Sequence, residues 1–399
     1  MNIGMILENE YSNDPRVRRE AEFLAANGYN VTVLAVKKPG FNEFETLNGV
    51  NIHRINISKF VLDKFRPLTP NFFAYYLIWR KFLYSFIKNY KIEVLHVHDL
   101  PLMKLAIKIA KHYNIPVVGD FHENFSEAIK MYYWANTFKG KLLINFKKWD
   151  ALQKYSVNNL NKLIVVADET IDLFSKKYNK KSSDIYSVDN SIDIDQFEST
   201  GINVILNEQL ANKYKDYVVY GFTGAILPNR GLQHLIKILP EYKMLKLKLV
   251  IVGKGQLKKD LVAFAEQSGI SHLIDWYDWQ PFENLITFTQ NFDVGLTRLE
   301  DNLQNSYTTP NKVFQYMYMQ KPILTADSLP MIRIVQKTNS GLVFKSGNPK
   351  SLAESFEKLY YDAKLRKELG INGKRAVALK YNWKTTQKNL LRLYSELKK

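Results

Sequence analysis

Short apolar runs alternate with helical patterns along the first half of the chain. Apolar runs at residues 2–7 and 30–36 flank a helical pattern that Asp14 and Pro15 begin and Gly28 ends. A strand, a helix and a strand in this length predict a βαβ unit, because parallel strands need a crossover connection of this size. Further apolar runs at 50–57, 94–98, 116–120, 163–166 and 185–188 continue the predicted sheet.

The same alternation begins again in the second half of the chain, which predicts a second doubly wound domain. We expect domains at residues 1–195 and 196–380, followed by an amphipathic helix within 381–399. The predicted fold class is α/β with two Rossmann-like domains. The apolar runs of the second domain lie at 217–223, 249–252, 293–298, 323–325 and 341–344.

Composition narrows the classes of protein and partner. The chain has 399 residues and a formal net charge of +17, which favours anionic partners. It contains no cysteine, so disulfides and thiolate metal sites are excluded. No apolar run reaches the ~18 residues of a membrane-spanning helix, and residues 1–10 lack the pattern of a signal peptide. We expect a cytoplasmic protein.

Two segments, residues 60–91 and 139–162, combine many aromatic residues with many lysines and arginines. The first fits a helix hairpin with apolar and basic faces, and the second also reads as helical. Such faces permit binding to an anionic membrane surface. The alternative is a set of large packed helices, and the sequence alone does not separate the two interpretations.

Two short patterns are of the kind that binds metal ions. His96 and His98 lie at i and i+2 on a predicted strand and therefore point to the same side. No third ligand lies nearby in sequence, which favours strand-end histidines beside a ligand cleft. Asp193 and Asp195 form a D-x-D pattern, but no other aspartates cluster with them, so we interpret them as structural. We predict no metal site.

The stretch from residue 305 to 327 reads as loop, helix, turn and strand. Thr309 is suited to cap the helix and Pro310 to occupy its first turn. A helix start attracts anions through its free N–H groups and dipole, and Lys312 adds a full charge there. This predicts a phosphate or nucleotide site. The alternative, an ordinary helix with a solvated lysine, has the same spacing.

Three stretches resemble retaining glycosyltransferases of family 4: NDPRVRREAEFLAANG from residue 13, PNRGL from 228 and TPNKVFQYM from 309. The resemblance covers essentially the whole chain. It implies a GT-B fold, in which two doubly wound domains face each other across a cleft. In this family the sugar donor lies mainly on the second domain and the acceptor on the first, and the last helix crosses back to the first domain.

The resemblance also implies roles for individual residues. It identifies His122, in the segment D-F-H-E, and Glu300 as catalytic candidates. Tyr307 and Gln315 stand where the family usually carries two glutamates, and Glu300 or Asp301 is a candidate replacement for the acid missing at Tyr307. Ala225 replaces an arginine. The implied donor site, in which backbone amides near the glycines approach the diphosphate, comprises Gly224, Arg230, Gly253, Lys254, Gly255, Asn311, Lys312 and Gln315.

The implied function is transfer of a sugar from a nucleoside-diphosphate sugar to a hydroxyl group, with retention and without a metal ion or other cofactor. The acceptor would be a glycan or polyprenyl-linked molecule in surface polysaccharide synthesis, used in the cytoplasm or on the inner face of the cell membrane. One alternative is a catalytically silent GT-B protein that binds a nucleotide sugar or partners another transferase. A nucleic-acid binder is supported by net charge alone, so we expect no nucleic-acid partner.

Overall fold

The computed structural model describes residues 1–70, 73–131 and 133–398. The chain divides into two compact units: unit 1 comprises Met1–Asp189 with Gln387–Lys399, and unit 2 comprises Asn190–Thr386. The unit boundary thus precedes the predicted boundary at residue 195. The side-chain amide of Asn190 donates to the Thr309 carbonyl at 3.0 Å, which ties the start of this segment to unit 2.

Unit 1 is built on an eight-stranded sheet with the order β3-β4-β2-β1-β5-β6-β7-β8. Its strand pairs are parallel, apart from the antiparallel pair of β3 and β4. The carboxyl ends of β1, β5 and β6 therefore meet at one edge. The strands are β1 (Asn2–Ile6), β2 (Asn30–Val36), β3 (Phe44–Leu47), β4 (Val50–Ile55), β5 (Val94–His98), β6 (Val117–Phe121), β7 (Lys162–Val165) and β8 (Ile185–Ser187).

Helices cover the sheet of unit 1, and their apolar faces form its core. Asp14 caps the first helix as predicted, because its carboxylate accepts from the Val17 amide at 3.2 Å. The helices are α1 (Pro15–Ala26), α2 (Lys59–Phe65), α3 (Ala74–Asn89), α4 (Leu100–Tyr113), α5 (Phe125–Met131), α6 (Tyr133–Asn136), α7 (Phe138–Leu143), α8 (Phe146–Asn159) and α9 (Asp168–Tyr178).

Unit 2 is built on a six-stranded parallel sheet with the order β11-β10-β9-β12-β13-β14. The strands are β9 (Val218–Thr223), β10 (Leu247–Val252), β11 (Ile274–Tyr277), β12 (Val294–Leu296), β13 (Ile323–Ala326) and β14 (Gly341–Phe344). The helices are α10 (Ile194–Thr200), α11 (Val204–Tyr214), α12 (Leu232–Ile238), α13 (Lys258–Gln267), α14 (Phe282–Gln290), α15 (Asn311–Tyr318), α16 (Leu329–Met331), α17 (Pro349–Tyr361) and α18 (Ala363–Leu379).

The last helix, α19 (Trp383–Leu397), begins in unit 2 and ends in unit 1. Its first residues stay with unit 2, since the Trp383 amide donates to the Ile192 carbonyl at 2.8 Å. Its later residues belong to unit 1, where Asn389 donates to the Ser187 carbonyl at 2.8 Å. The final helix predicted for residues 381–399 is therefore divided between the two units.

The basic aromatic segments combine buried and exposed faces. In α3, Tyr75 and Trp79 are fully buried, and Trp149 is buried in α8, so these helices pack into the core. The first segment includes residues 71–72, which lie outside the described residues. The second segment is not one helix, because it contains most of α7, all of α8 and the first residue of β7. The packed-helix interpretation therefore holds for the inner faces.

Candidate functional site

Two glycine-containing loops follow neighbouring strands of unit 2 and pack directly against each other. Because β9 and β10 are parallel, the loops that follow them leave the same edge of the sheet. A Cβ atom on Gly253 would lie 1.9 Å from the Gly224 carbonyl oxygen, and one on Gly255 would lie 2.0 Å from that of Ile226. Positions 253 and 255 require glycine because the two backbones meet there.

The backbone amides of Gly224 and Gly253 already have partners within the protein. The Gly224 amide donates to the Val252 carbonyl at 2.8 Å, and the Gly253 amide donates to the Tyr277 carbonyl at 2.9 Å. The predicted approach of backbone amides near these glycines to the diphosphate therefore does not use the Gly253 amide, because this N–H group joins its loop to β11. Lys254, between the two glycines, has an exposed side chain.

Arg230 lies in the turn between β9 and α12, and the loop after β12 holds that turn. The Leu299 amide donates to the Arg230 carbonyl at 3.0 Å. The side chain of Asn305 donates to the Asn229 carbonyl at 3.1 Å. Gly231 has φ +76°, and a Cβ atom there would lie 2.4 Å from the carbonyl carbon of Leu299. The turn that carries Arg230 is thus fixed on both sides by backbone contacts.

Lys312 brings its ammonium group to the same loops. Its Nζ atom lies 3.7 Å from the centroid of the Phe222 ring, and a Cβ atom on Gly224 would lie 3.3 Å from it. Burial lowers the pKa of Lys312 well below its usual range, and the positive charges of Arg230 and Arg298 lower the pKa further. A bound anion would favour the charged ammonium and so oppose these effects.

Helix α15 carries Lys312 and also the candidates Asn311 and Gln315. Val313, Tyr316 and Met317 are fully buried, as their spacing predicts. The Tyr316 hydroxyl accepts a hydrogen bond from the Thr223 amide at 3.0 Å, which fixes the helix to the end of β9. Gln315 is half-buried and Asn311 is exposed, so the polar face is open to a ligand.

The predicted start of α15 is wrong by one residue. The helix begins at Asn311, and Pro310 is its N-cap residue rather than its first helical residue, with φ −78° and ψ 134°. Thr309 does not cap the helix. Its hydroxyl oxygen is buried without a hydrogen-bond partner in the described part of the chain, and its carbonyl accepts from Asn190 instead.

The two acidic candidates after β12 have partners in unit 2. Glu300 turns toward α12, with one carboxylate oxygen 3.3 Å from Gln233 Nε2 and 3.3 Å from His234 Nε2. Asp301 accepts a hydrogen bond from the Ser306 hydroxyl at 2.9 Å. The catalytic assignment of Glu300 therefore remains a prediction, for a carboxylate that is half-buried beside α12.

In unit 1, Asp120 is the centre of a buried network of charges. It accepts two hydrogen bonds from Arg16, at 3.2 and 3.0 Å, and lies 2.8 Å from His122 Nε2. Burial alone would raise the pKa of Asp120, but Arg16 and His122 outweigh it and hold the pKa well below its usual range. Burial alone would lower the pKa of His122, but Asp120 and Asp99 raise it to about 9.

The network includes residues that the sequence did not associate. Glu20 and His96 are fully buried, and His98 Nδ1 lies 3.1 Å from Asp120. Burial raises the pKa of Glu20, with Asp120 adding to the effect, and lowers that of His96. The patterns H-V-H-D and D-F-H-E mark the ends of β5 and β6, which are adjacent strands, so the sheet order was the missing information.

A pocket of about 830 Å³ lies in unit 1 beside this network. Asp99, which is 3.7 Å from His122, forms part of its lining. Arg66 contributes charge, whereas Phe125 and Trp149 contribute apolar surface. The pocket therefore suits a ligand with a polar end and an apolar body.

Among the helices of the described residues, none is long and apolar enough to cross a lipid bilayer.

The fold belongs to the GT-B class, with two α/β units that are each built on a largely parallel sheet. In agreement, the solved structure of Anabaena HepE in complex with UDP and glucose matches with a TM-score of 0.73 at 11% identity, covering 99% of this chain and 100% of that chain.

Comparisons of sequence give the family. Residues 16–196 match the model of Glycosyltransferase Family 4, and residues 206–376 match that of Glycosyl transferases group 1. The chain belongs to glycosyltransferase family 4, as the resemblance implied.

Two proteins with sequences similar to this chain are named as glycosyltransferases. An uncharacterised glycosyltransferase of Methanocaldococcus jannaschii is 24% identical over 341 residues, which is 84% of this chain and 83% of the relative. The capsular polysaccharide biosynthesis glycosyltransferase CapM of Staphylococcus aureus is 27% identical over 217 residues, which is 50% of this chain and 52% of the relative.

Proposed function

We propose that this glycosyltransferase moves a sugar from a nucleoside-diphosphate sugar to a hydroxyl of a glycan or polyprenyl-linked acceptor, with retention of configuration. The observation that carries the donor assignment is the position of Lys312 against Gly224, with the charge of Arg230 acting on it. A diphosphate is the anion that this arrangement suits, because it presents several charged oxygens to two cations. The complex of HepE with UDP and glucose supports this class of donor.

Lys312 and Arg230 would also assist the reaction. The leaving group is a nucleoside diphosphate, and negative charge develops on it as the bond to the sugar breaks. Fixed cations stabilise such charge without reorganisation, so the diphosphate needs no metal ion. Gln315, on the same helix face as Lys312, would hydrogen-bond the ribose hydroxyls, since an amide both donates and accepts.

We assign the acceptor to unit 1. His122 is partly exposed at the end of β6, with 20% of its side chain accessible, and the pocket beside Asp99 has the mixed lining that a polar acceptor group on an apolar chain requires. CapM, by its name a capsular polysaccharide enzyme, supports an acceptor in surface polysaccharide synthesis.

We further propose that unit 1 binds the anionic face of a membrane, where a polyprenyl-linked acceptor is located. On α7, Phe138 is 88% exposed and Leu142 78% exposed. Lysines 141, 147 and 148 are exposed in the same part of the chain. On α3, Leu77 is exposed next to Arg80 and Lys81. Apolar side chains between lysines and arginines are the composition of an interfacial surface.

The experiment that tests this function has two stages. A thermal-shift screen of nucleotide sugars should find one that raises the melting temperature, because a ligand that binds only the folded chain stabilises it. That donor is then incubated with a polyprenyl-phosphate sugar acceptor, and the anomeric configuration of the product is read by NMR. Donor binding without transfer or hydrolysis would favour the catalytically silent alternative, which the replacements Tyr307 and Gln315 support.

A further inference from the structure

In each of the two histidines of β5, one ring nitrogen lies within hydrogen-bond distance of a side chain and the other has no such partner among the described residues. His96 and His98 stack with ring centroids 4.3 Å apart. His96 Nδ1 lies 2.9 Å from the Tyr394 hydroxyl, and His98 Nδ1 lies 3.1 Å from Asp120. The Nε2 atoms of both rings are buried and have no hydrogen-bond partner in the portion of the chain that the structure describes.

Glu20 supplies a carboxylate to the same place. The side chain is fully buried, and neither carboxylate oxygen forms a hydrogen bond with a described residue. One oxygen lies 3.1 Å from Arg16, which provides an ion pair. The other lies 3.9 Å from His96 Nε2. This separation is too long for a hydrogen bond, but it is shorter than the sum of two metal–ligand bonds of about 2.0–2.2 Å.

We propose that Glu20, His96 and His98 bind one divalent transition-metal ion of the Zn²⁺ class. Two imidazole nitrogens and a carboxylate oxygen are the ligand types that such an ion prefers. Asp120 and Tyr394 act as positioning residues, because each engages the Nδ1 atom of a ligand histidine and so directs its Nε2 atom. Donor atoms from Glu20, His96, His98 and Asp120 all lie within 4.8 Å of one another.

A bound metal ion would provide a partner for buried atoms of this cluster that have none. Leaving a buried polar atom without a partner costs about 1–3 kcal/mol. Both Nε2 atoms and the Glu20 oxygen that faces His96 have no hydrogen-bond partner among the described residues. One ion would bond to both nitrogens and to the carboxylate at once. This inference concerns unit 1 alone and does not depend on the proposed donor site.

The test uses the full chain without a polyhistidine tag, so that the tag binds no metal. The protein is unfolded in chelator, refolded with Zn²⁺ or Co²⁺, and freed of excess metal. We expect about one bound metal ion per chain by elemental analysis and a raised melting temperature. The Co²⁺ form should show visible absorption bands of a nitrogen and oxygen site. A correctly refolded wild-type chain that retains no Zn²⁺ or Co²⁺ would overturn the inference.

Variants locate the site within the chain. The double variant His96→Gln/His98→Gln should lose the bound metal, whereas His112→Gln, at an exposed histidine of the same unit, should retain it. Tyr394→Phe removes only a positioning hydroxyl, so it should keep the fold and weaken Zn²⁺ binding by roughly 10–100-fold. Equal metal retention in the double variant and the wild type would place the metal elsewhere and refute the assignment.

Discussion

Two buried clusters, around Arg16 in unit 1 and around Lys312 in unit 2 of this glycosyltransferase, place opposite kinds of charge beside a positive side chain. In unit 1, Arg16 lies against Asp120 and Glu20, so its charge is matched inside the protein. In unit 2, the charges that shift the pKa of Lys312 are those of Arg230 and Arg298, which are both positive. The first arrangement contributes to the folded state itself, whereas the second favours an anion from solution. The comparison predicts different effects for substitutions in the two units.

The largest effect is expected in unit 1. Asp120→Ala should lower the free energy of unfolding by about 3–5 kcal/mol, because it removes the buried carboxylate that accepts two hydrogen bonds from Arg16. Asp195→Ala removes a pair with Lys384 whose side chains are 69% and 74% exposed, and should cost less than about 1 kcal/mol. Urea denaturation measures both. Equal costs would contradict the role assigned to burial.

In unit 2, Arg230→Ala should weaken binding of the nucleoside diphosphate by about 1.5–3 kcal/mol, the cost of one charge-assisted hydrogen bond. Binding of the free nucleoside should change less, and unfolding should be little affected. Arg375→Ala, at an exposed arginine of the same unit, is the matched control. Calorimetric titration measures the affinities. An unchanged affinity for the diphosphate in the Arg230 variant would remove this residue from the donor site.

Gln315 tests the ribose contact. Gln315→Ala should cost about 1–3 kcal/mol in donor affinity, because it leaves ribose hydroxyls without partners. Gln315→Glu should keep or modestly raise activity, since the side chain has the same size and the resemblance implies that a glutamate fits this position. Calorimetry on the three forms, together with a transfer assay, gives the comparison. If the alanine form binds the donor as tightly as the wild type, the silent-protein alternative gains support.

The lowered pKa of Lys312 couples donor binding to protons. A diphosphate favours the charged ammonium, so the complex should take up a proton, and affinity should fall as pH rises through the range where the free ammonium is neutral. The limit is tenfold per pH unit, or about 1.4 kcal/mol. Calorimetry in buffers of different ionisation enthalpy counts the protons above about pH 7, where the terminal phosphate is already ionised. Lys312→Met should abolish the uptake, and its persistence would assign the proton to another group.

The smallest effect per residue is expected at the membrane surface. Each lysine near an anionic bilayer adds about 1 kcal/mol, so Lys141→Gln/Lys147→Gln should reduce flotation with phosphatidylserine vesicles at low salt. Lys350→Gln/Lys364→Gln, at exposed positions in unit 2, is the charge-matched control. If the wild-type chain does not float with such vesicles, the exposed apolar side chains of α7 have another role.

The apolar runs were sufficient to predict the alternation of strands and helices, because each run becomes a strand buried in a sheet. They missed β3, since Phe44–Leu47 alternates between exposed and half-buried residues and contains no apolar run. The network around Asp120 could not be predicted from the sequence either. Its members come from α1, β5 and β6, and only the order of strands in the sheet shows that these elements meet.

For the proposed donor site, the helix start indicated Lys312 and the family resemblance implied Arg230, but the reason for the glycines required the fold. Gly253 and Gly255 were expected to expose amides to an anion. The space that a side chain would fill at these two positions is occupied by a second loop. The Gly253 amide donates a hydrogen bond to the Tyr277 carbonyl. A sequence shows that a backbone position needs room, but the neighbour that occupies the room is known only in three dimensions.

Because α19 ends in unit 1, the two units differ in whether one continuous part of the sequence encodes them. Unit 2 is one uninterrupted stretch, Asn190–Thr386. Unit 1 consists of two stretches, which the 197 residues of unit 2 separate in the sequence. A fragment that stops at Asp189 lacks Tyr394, which is fully buried beside His96. Splitting the coding sequence between the units therefore yields one half that is complete and another that lacks part of its own interior. Rejoining residues 387–399 to the first stretch through a short linker is the arrangement that restores it.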